Sequence, residues 1–272
     1  MGTYREVPVV TRLASGDSVL FERVSDGIAT ELPVALTYNR RSHVVMMATP
    51  ADLEDFAIGF SLTERLVGSL EDIHATRVIP RPGGIELALT IDPAWYDRLD
   101  TRRRNMAGRT GCGLCGAENI EQALRAPSPV GRSLTVSHSA VQKALQALRG
   151  HQPLQGVTGA THGAAWCDRT GAVIAAREDV GRHNALDKLI GHLYRRGYDP
   201  AEGFVLISSR ASYEMVYKAA AAQIELVVAV SAPTTLAVEF AERSGVTVIG
   251  FARPGRHNVY SLGERLTEEK NG

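Results

Sequence analysis

Two cysteines in the run Cys112-Gly113-Leu114-Cys115 are the strongest chemical signal in the chain. Thiols at this spacing can close a disulfide, bind a metal, or act as one reactive thiol beside a helper. The surroundings favour reactivity. Arg102, Arg103, Arg104 and Arg109 put positive charge nearby, and a helix is expected to start just after Cys115. Both effects stabilise the thiolate, which is the reactive form. Glycine is dense around the motif and apolar periodicity vanishes over residues 100–116, which reads as a mobile loop able to reach into another protein's site. Structural zinc needs four ligands, and with three cysteines in the whole chain there is no second pair to complete such a site. The third, Cys167, stands alone in an apolar strand and reads as a buried, inert thiol.

Three further segments gather polar side chains where a strand is expected to hand over to a helix or turn. The first, 177–188, holds Glu178, Asp179, Arg182, His183, Asn184, Asp187 and Lys188. In an α/β sheet, strand ends and helix N-termini converge on ligands, so Arg182 and His183 are candidates; a solvated loop is the plainer alternative. The second, 208–214, offers Ser209 and Arg210 to an anion, or simply caps a helix with Ser209 or Ser212. The third is Phe251-Ala252-Arg253-Pro254-Gly255-Arg256, after what reads as the last strand. Arg253 and Arg256 suit phosphate, and Phe251 suits either stacking on a planar ring or closing a strand core. Gly-Arg-His-Asn occurs at both 181–184 and 255–258.

The elements that must position these residues follow from periodicity. Strands are expected over 18–24, 33–39 and 43–49, the last two joined by a turn at 40–42. A helix opened by Pro50 and Asp52 should stop at Gly68. Strands at 75–80 and 85–91 flank the turn at 81–84, and a polar helix is expected over 117–124. The Ala126-Pro127-Ser128-Pro129 run marks a linker, dividing the chain into 1–126, which carries the cysteine loop, and 130–272. The second part alternates: a helix capped by Ser137, strands at 159–166 and 172–177, a helix at 183–194, strand 204–208, helix 213–223, strand 226–230, helix 236–244 and strand 247–251. That order means an α/β fold, with a mainly parallel or mixed sheet covered by helices.

The 272 residues are 44% hydrophobic, enough for a real core, and carry 30 basic and 30 acidic side chains, which argues against bulk nucleic-acid binding. No apolar run reaches the ~18 residues of a membrane span, and no secretory h-region is visible. Few cysteines fit a reducing cytoplasm.

In segments 109–116, 178–188, 208–214 and 251–258, and over nearly its full length, the chain resembles the formate dehydrogenase accessory sulfurtransferases, the FdhD family. The resemblance implies that Cys112 accepts sulfur as a persulfide from a cysteine desulfurase. It implies delivery to the molybdenum cofactor, as Mo-bis(molybdopterin guanine dinucleotide), for formate dehydrogenase. It places the cofactor-binding segment on Phe251 to Arg256, with guanine nucleotides as mimics. It also implies a cytoplasmic homodimer with a larger, cytidine-deaminase-like C-terminal domain and a smaller, strand-rich N-terminal one. Cys115 is then a helper that could expel sulfur by forming a disulfide. Zinc deaminases need His-x-Glu or Cys-x-Glu and a later Pro-Cys-x-x-Cys. The corresponding stretches here, His183-Asn184-Ala185 and residues 208–212, lack the glutamate and the cysteines, so deamination is rejected. Two rivals remain. A thiol–disulfide oxidoreductase would need both cysteines, and a passive cofactor chaperone would survive loss of Cys112 but not of Arg253 or Arg256.

Overall fold

The computed structural model describes residues 2–15, 18–97 and 129–268. Cys112, Cys115, the loop expected at 100–116 and the helix expected at 117–124 lie outside the described residues.

The chain opens with an antiparallel ribbon, β1 (Tyr4–Ser15) on β2 (Ser18–Ala29), of which only the second strand was expected. A four-stranded sheet follows in the order β4-β3-β6-β5, built from β3 (Leu32–Tyr38), β4 (Arg41–Ala48), β5 (Ile73–Arg81) and β6 (Gly84–Ile91). The β3–β4 turn falls at Asn39 and Arg40, with φ of 48° and 70°, one residue earlier than expected. Two successive positive-φ residues match the right-handed twist of a two-residue hairpin. Helix α1 (Leu53–Thr63) packs Phe56 and Phe60 onto Val34, Leu36, Leu87 and Leu89 of this sheet. It does not run to Gly68. Arg65 takes the left-handed conformation (φ 55°), its N–H donates to Leu62 O, and the Leu66 N–H donates to Ser61 O. This is the double hydrogen-bonded helix stop usually built on glycine.

The second sheet has six strands in the order β13-β12-β11-β10-β8-β9. In chain order they are β8 (His162–Asp168), β9 (Val173–Asp179), β10 (Gly203–Ile207), β11 (Leu226–Ala229), β12 (Thr247–Arg253) and β13 (Arg256–Ser261). Strands β10, β11 and β12 run parallel, while β8 and β13 run against their neighbours, so the sheet is mixed. The chain does not finish at β12. β13 adds an edge strand, and β14 (Leu266–Thr267) pairs with β7 (Val136–Ser137).

Both faces of the six-stranded sheet are buried. Val205 and Ile207 face helices α4 (Arg182–Arg196), α5 (Tyr213–Ala221) and α6 (Thr235–Ser244), through Leu189, Val216 and Phe240. Phe204 and Leu206 point the other way, onto Val141, Ala144 and Leu148 of α2 (His138–Leu148). The alternation is the period of two of a strand covered on both sides. Ser137 caps α2 as expected, its Oγ accepting from Ala140 N at 3.1 Å. A short helix, α3 (Pro153–Thr158), was not expected.

The two sheets are joined where α1 crosses α4. A Cβ on Gly59 would lie 1.7 Å from the Asp187 carbonyl oxygen, and one on Gly191 would lie 1.9 Å from that of Asp55. Only glycine permits this approach. Ion pairs surround the crossing. Asp55 accepts from Arg177 at 2.8 Å and from Arg195 at 2.6 Å, while Lys218 bonds Asp187, Glu64 and Thr63. Burial alone would lower the Lys218 pKa, but Asp187 and Glu64 more than offset it and hold it above the ordinary lysine value.

Candidate functional site

Strands β9, β10, β11 and β12 all end at the same edge of the six-stranded sheet, and β8 begins there. The three polar segments therefore lie along one end of the sheet, the first on its β9 side and the third on its β12–β13 side. Arg182 and His183 start α4 after β9, Ser209 and Arg210 follow β10, and Phe251 to Arg256 span the β12–β13 hairpin. Backbone links join the second and third of them. Ser231 N donates to Ser209 O, and Phe251 N donates to Ser231 O at 3.0 Å.

The hairpin separates its residues by role. Between the pairs Gly250↔Asn258 and Arg253↔Arg256 the register shifts, so β12 bulges. Phe251 sits on the bulge with φ 49° and is 38% exposed. A bulky residue at positive φ is uncommon and marks a conformation imposed by its surroundings. Its ring is therefore turned toward solvent rather than closing a core. Ala252 does the opposite and packs under α2. Arg253 folds back to donate to the Val230 carbonyl and, at 2.9 Å, to that of Ala252. Pro254 and Gly255 form the tip, with Gly255 at φ 76°, and Arg256 is exposed.

Segment 178–188 also divides. Asp179, Asn184 and Lys188 face inward. Lys188 Nζ lies 2.6 Å from Asp179 and donates to Thr49 O at 2.9 Å. Asp179 accepts from Thr49 N, Gly181 N and Asn184, and Asn184 also donates to Met47 O. These groups tie the α4 start to the end of β4. The Glu178 carboxylate accepts the Leu154 and Gln155 N–H groups, capping α3. Arg182 and His183 do not join this inward set and are half-buried. The Arg182 Nε is buried without a hydrogen-bond partner among the described residues.

His183 Nε2 lies 2.9 Å from Glu214 Oε2. Burial works to raise the Glu214 carboxyl, but bonding to His183 and the charges of Lys218 and Arg182 hold it below the usual range. His162, at the start of β8, was not foreseen as part of this edge. Burial and the charges of Arg182 and His183 push its pKa down, so it is a neutral, half-buried donor and acceptor beside the α4 start. Ser231 was also missed, because its loop carries no charge in the sequence. Cys167 is fully buried, and burial pushes its thiol up to about 12, as its apolar strand implied.

What the edge offers is an exposed aromatic ring, exposed guanidinium groups, and backbone N–H groups at a helix start. Such a set suits a ligand that is both planar and anionic. The sequence model of the FdhD/NarQ family matches residues 29–267. The chain belongs to the FdhD/NarQ family. Among the curated relatives of this FdhD/NarQ member is the sulfur carrier protein FdhD of Bordetella petrii, 52% identical over 89% of this chain and 87% of the relative. The sulfur carrier protein FdhD of Cupriavidus necator is also 52% identical, over 90% of this chain and 85% of its own length. The fold matches a crystal structure of a protein assigned as a formate dehydrogenase accessory protein from Desulfotalea psychrophila. That match has a TM-score of 0.75 and covers 96% of this chain and 99% of the other, at 22% identity. Among the described residues of this FdhD/NarQ chain, no cluster of His, Cys, Asp or Glu could hold a metal ion, and no helix is long and apolar enough to cross a membrane.

Proposed function

We propose that the chain is a sulfur carrier for formate dehydrogenase, and that its cargo is a molybdenum cofactor carrying guanine dinucleotide arms. The observation that carries this reading is the placement of three separate polar segments along one end of the six-stranded sheet, in a chain half identical to sulfur carrier proteins. The guanine stacks on Phe251. The pyrophosphate of that arm pairs with Arg256 and Arg253, with Ser209 and Arg210 next along the sheet end, while Arg182 and the N–H groups opening α4, on the far side of the sheet, take the pyrophosphate of the second arm.

Sulfur enters through Cys112. Its thiolate attacks the outer sulfur of a cysteine desulfurase persulfide, so the donor's S–S bond breaks, the donor leaves as a thiol, and Cys112 becomes a persulfide. Cys115 thiolate then attacks the inner sulfur of that persulfide. A Cys112–Cys115 disulfide forms and hydrosulfide leaves, the two thiols supplying the two electrons that reduce sulfane sulfur to sulfide. A dithiol reductant regenerates the pair. The carrier acts in the cytoplasm as a homodimer, handing the sulfurated cofactor to formate dehydrogenase.

Incubation with a cysteine desulfurase and cysteine, followed by intact mass and peptide mapping, tests the entry step. An adduct of about 32 Da on Cys112, removed by reductant, is expected. Cys112→Ala should abolish the adduct and leave the melting temperature unchanged. No adduct while the desulfurase is turning over would sink the reading. Calorimetry with diguanosine pyrophosphate tests the cargo site, and Arg256→Ala should weaken binding by about tenfold, the loss of one charge-assisted contact.

A further inference from the structure

The tip of the β12–β13 hairpin is held from outside its own strands. Gly255 N donates to Gln142 Oε1 at 2.7 Å. Gln142 Nε2 lies 2.9 Å from His257 Nδ1, and His257 Nε2 lies 2.7 Å from His138 Nδ1. The two imidazole centroids are 4.9 Å apart and the rings are inclined by 15°. That separation is the nitrogen–nitrogen distance plus the two ring radii. The rings therefore meet edge to edge in nearly one plane, as an in-line hydrogen bond requires.

Each proton in this row is fixed by the one before it. A backbone N–H can only donate, so the Gln142 oxygen faces Gly255 and its NH2 faces His257. The ring nitrogen opposite an NH2 must be bare, so His257 carries its proton on Nε2. That proton is donated to His138 Nδ1, which leaves the His138 proton on Nε2, 3.9 Å from Glu268 Oε1. A single arrangement satisfies every atom. Adding a proton at His257 Nδ1 sets two donors against each other at 2.9 Å.

We infer that Gln142, His257 and His138 are positioning residues for the Arg253–Arg256 turn, and that protonation of His257 releases it. The relay stands on its own geometry; its consequence for ligand binding rests on the cargo site proposed above. The groups around His257 are Gln142 and His138 from α2, Arg256 beside it on β13, and Glu268 beyond His138. Burial first, then His138, pushes the His257 pKa below its ordinary 6.5, so the neutral, anchored form prevails at neutral pH. The turn is released as pH falls through that lowered value.

Two measurements on the full chain test this. Long-range proton–nitrogen NMR reads the imidazole state, and calorimetry with diguanosine pyrophosphate, whose diester phosphates do not titrate in this range, reads the turn. His257 is expected as the Nε2–H tautomer, titrating below 6.5 together with a shift of the Gly255 amide. Wild-type affinity should fall about tenfold from pH ~7.5 to ~5. Gln142→Glu keeps an acceptor for Gly255 and favours the doubly protonated His257, so its affinity should change little with pH. Gln142→Leu should bind weakly throughout. A packing role alone would make the two variants alike. An Nδ1–H tautomer, or a Gln142→Glu pH profile matching wild type, overturns the relay. A correct tautomer and coupled Gly255 shift without any nucleotide binding would support the relay and overturn the cargo site instead.

Discussion

At the scale of single residues, Phe251 joins backbone conformation to the proposed recognition of guanine. Its φ of 49° is costly for a bulky side chain and free for glycine. Phe251→Gly should therefore leave thermal stability unchanged or raised. The same change should weaken diguanosine pyrophosphate binding by about 1–3 kcal/mol, the usual worth of one base stacked on an aromatic ring. A fall in melting temperature with unchanged affinity would show the ring to be structural. Cys167 supplies a second contrast. Its fully buried thiol, with a pKa pushed to about 12, has almost no thiolate at neutral pH. Iodoacetamide should leave Cys167 unlabelled in the native protein and label it after denaturation, as peptide mapping would show. Native labelling would undermine assignment of any sulfur adduct to the 112–115 motif.

At the scale of elements, the α1–α4 crossing holds the two sheets together. Gly59→Ala would drive a methyl group into the Asp187 carbonyl, against backbone that cannot rotate away. A loss on the order of 1–3 kcal/mol is expected from such overpacking, measured by denaturant unfolding; an unchanged midpoint would mean that the helices slide apart freely. None of this was legible in the sequence, because a glycine's closest neighbour is set by tertiary packing. Most strands and helices were legible, since their apolar periods reflect burial on one or both faces. The α1 stop was misread because Arg65, not glycine, takes the left-handed position. β13 was missed because Arg256 and Asn258 lie exposed on an edge strand and leave no apolar alternation. The candidate site was legible as three polar segments at strand ends. Its division of labour was not. Asp179, Asn184 and Lys188 carry the same polar signal as Arg182 and His183, yet they turn inward to Thr49 and Met47.

At the scale of the whole molecule, pH should act on the fold and on the ligand edge in sequence. His162, His192 and His257 all have pKa values below the ordinary 6.5, each first because of burial. The unfolded chain then takes up these protons before the folded one. Their contribution to stability is full above about 6.5 and is lost as pH falls through the lowered folded values. Glu214 and Glu225 are depressed below 4.5, so their contribution is present above that value and disappears in more acid solution. At the alkaline end Lys218 is raised above 10.5, and its contribution is lost only as pH rises past that folded value. The melting temperature should thus be nearly flat from about pH 7 to 9, and should begin to fall below about 6.5, well before the carboxylates titrate. Two of the three histidines sit at the proposed ligand edge, His162 beside the α4 start and His257 in the hairpin relay. Nucleotide affinity should therefore decline on the same acid limb, while the chain is still folded by circular dichroism. His192 lies beside Arg177 and Asp55 at the α1–α4 crossing, so His192→Gln should flatten the acid limb of the melting curve without altering the acid limb of affinity. Equal effects on both limbs would mean that the crossing and the ligand edge respond to acid as one unit.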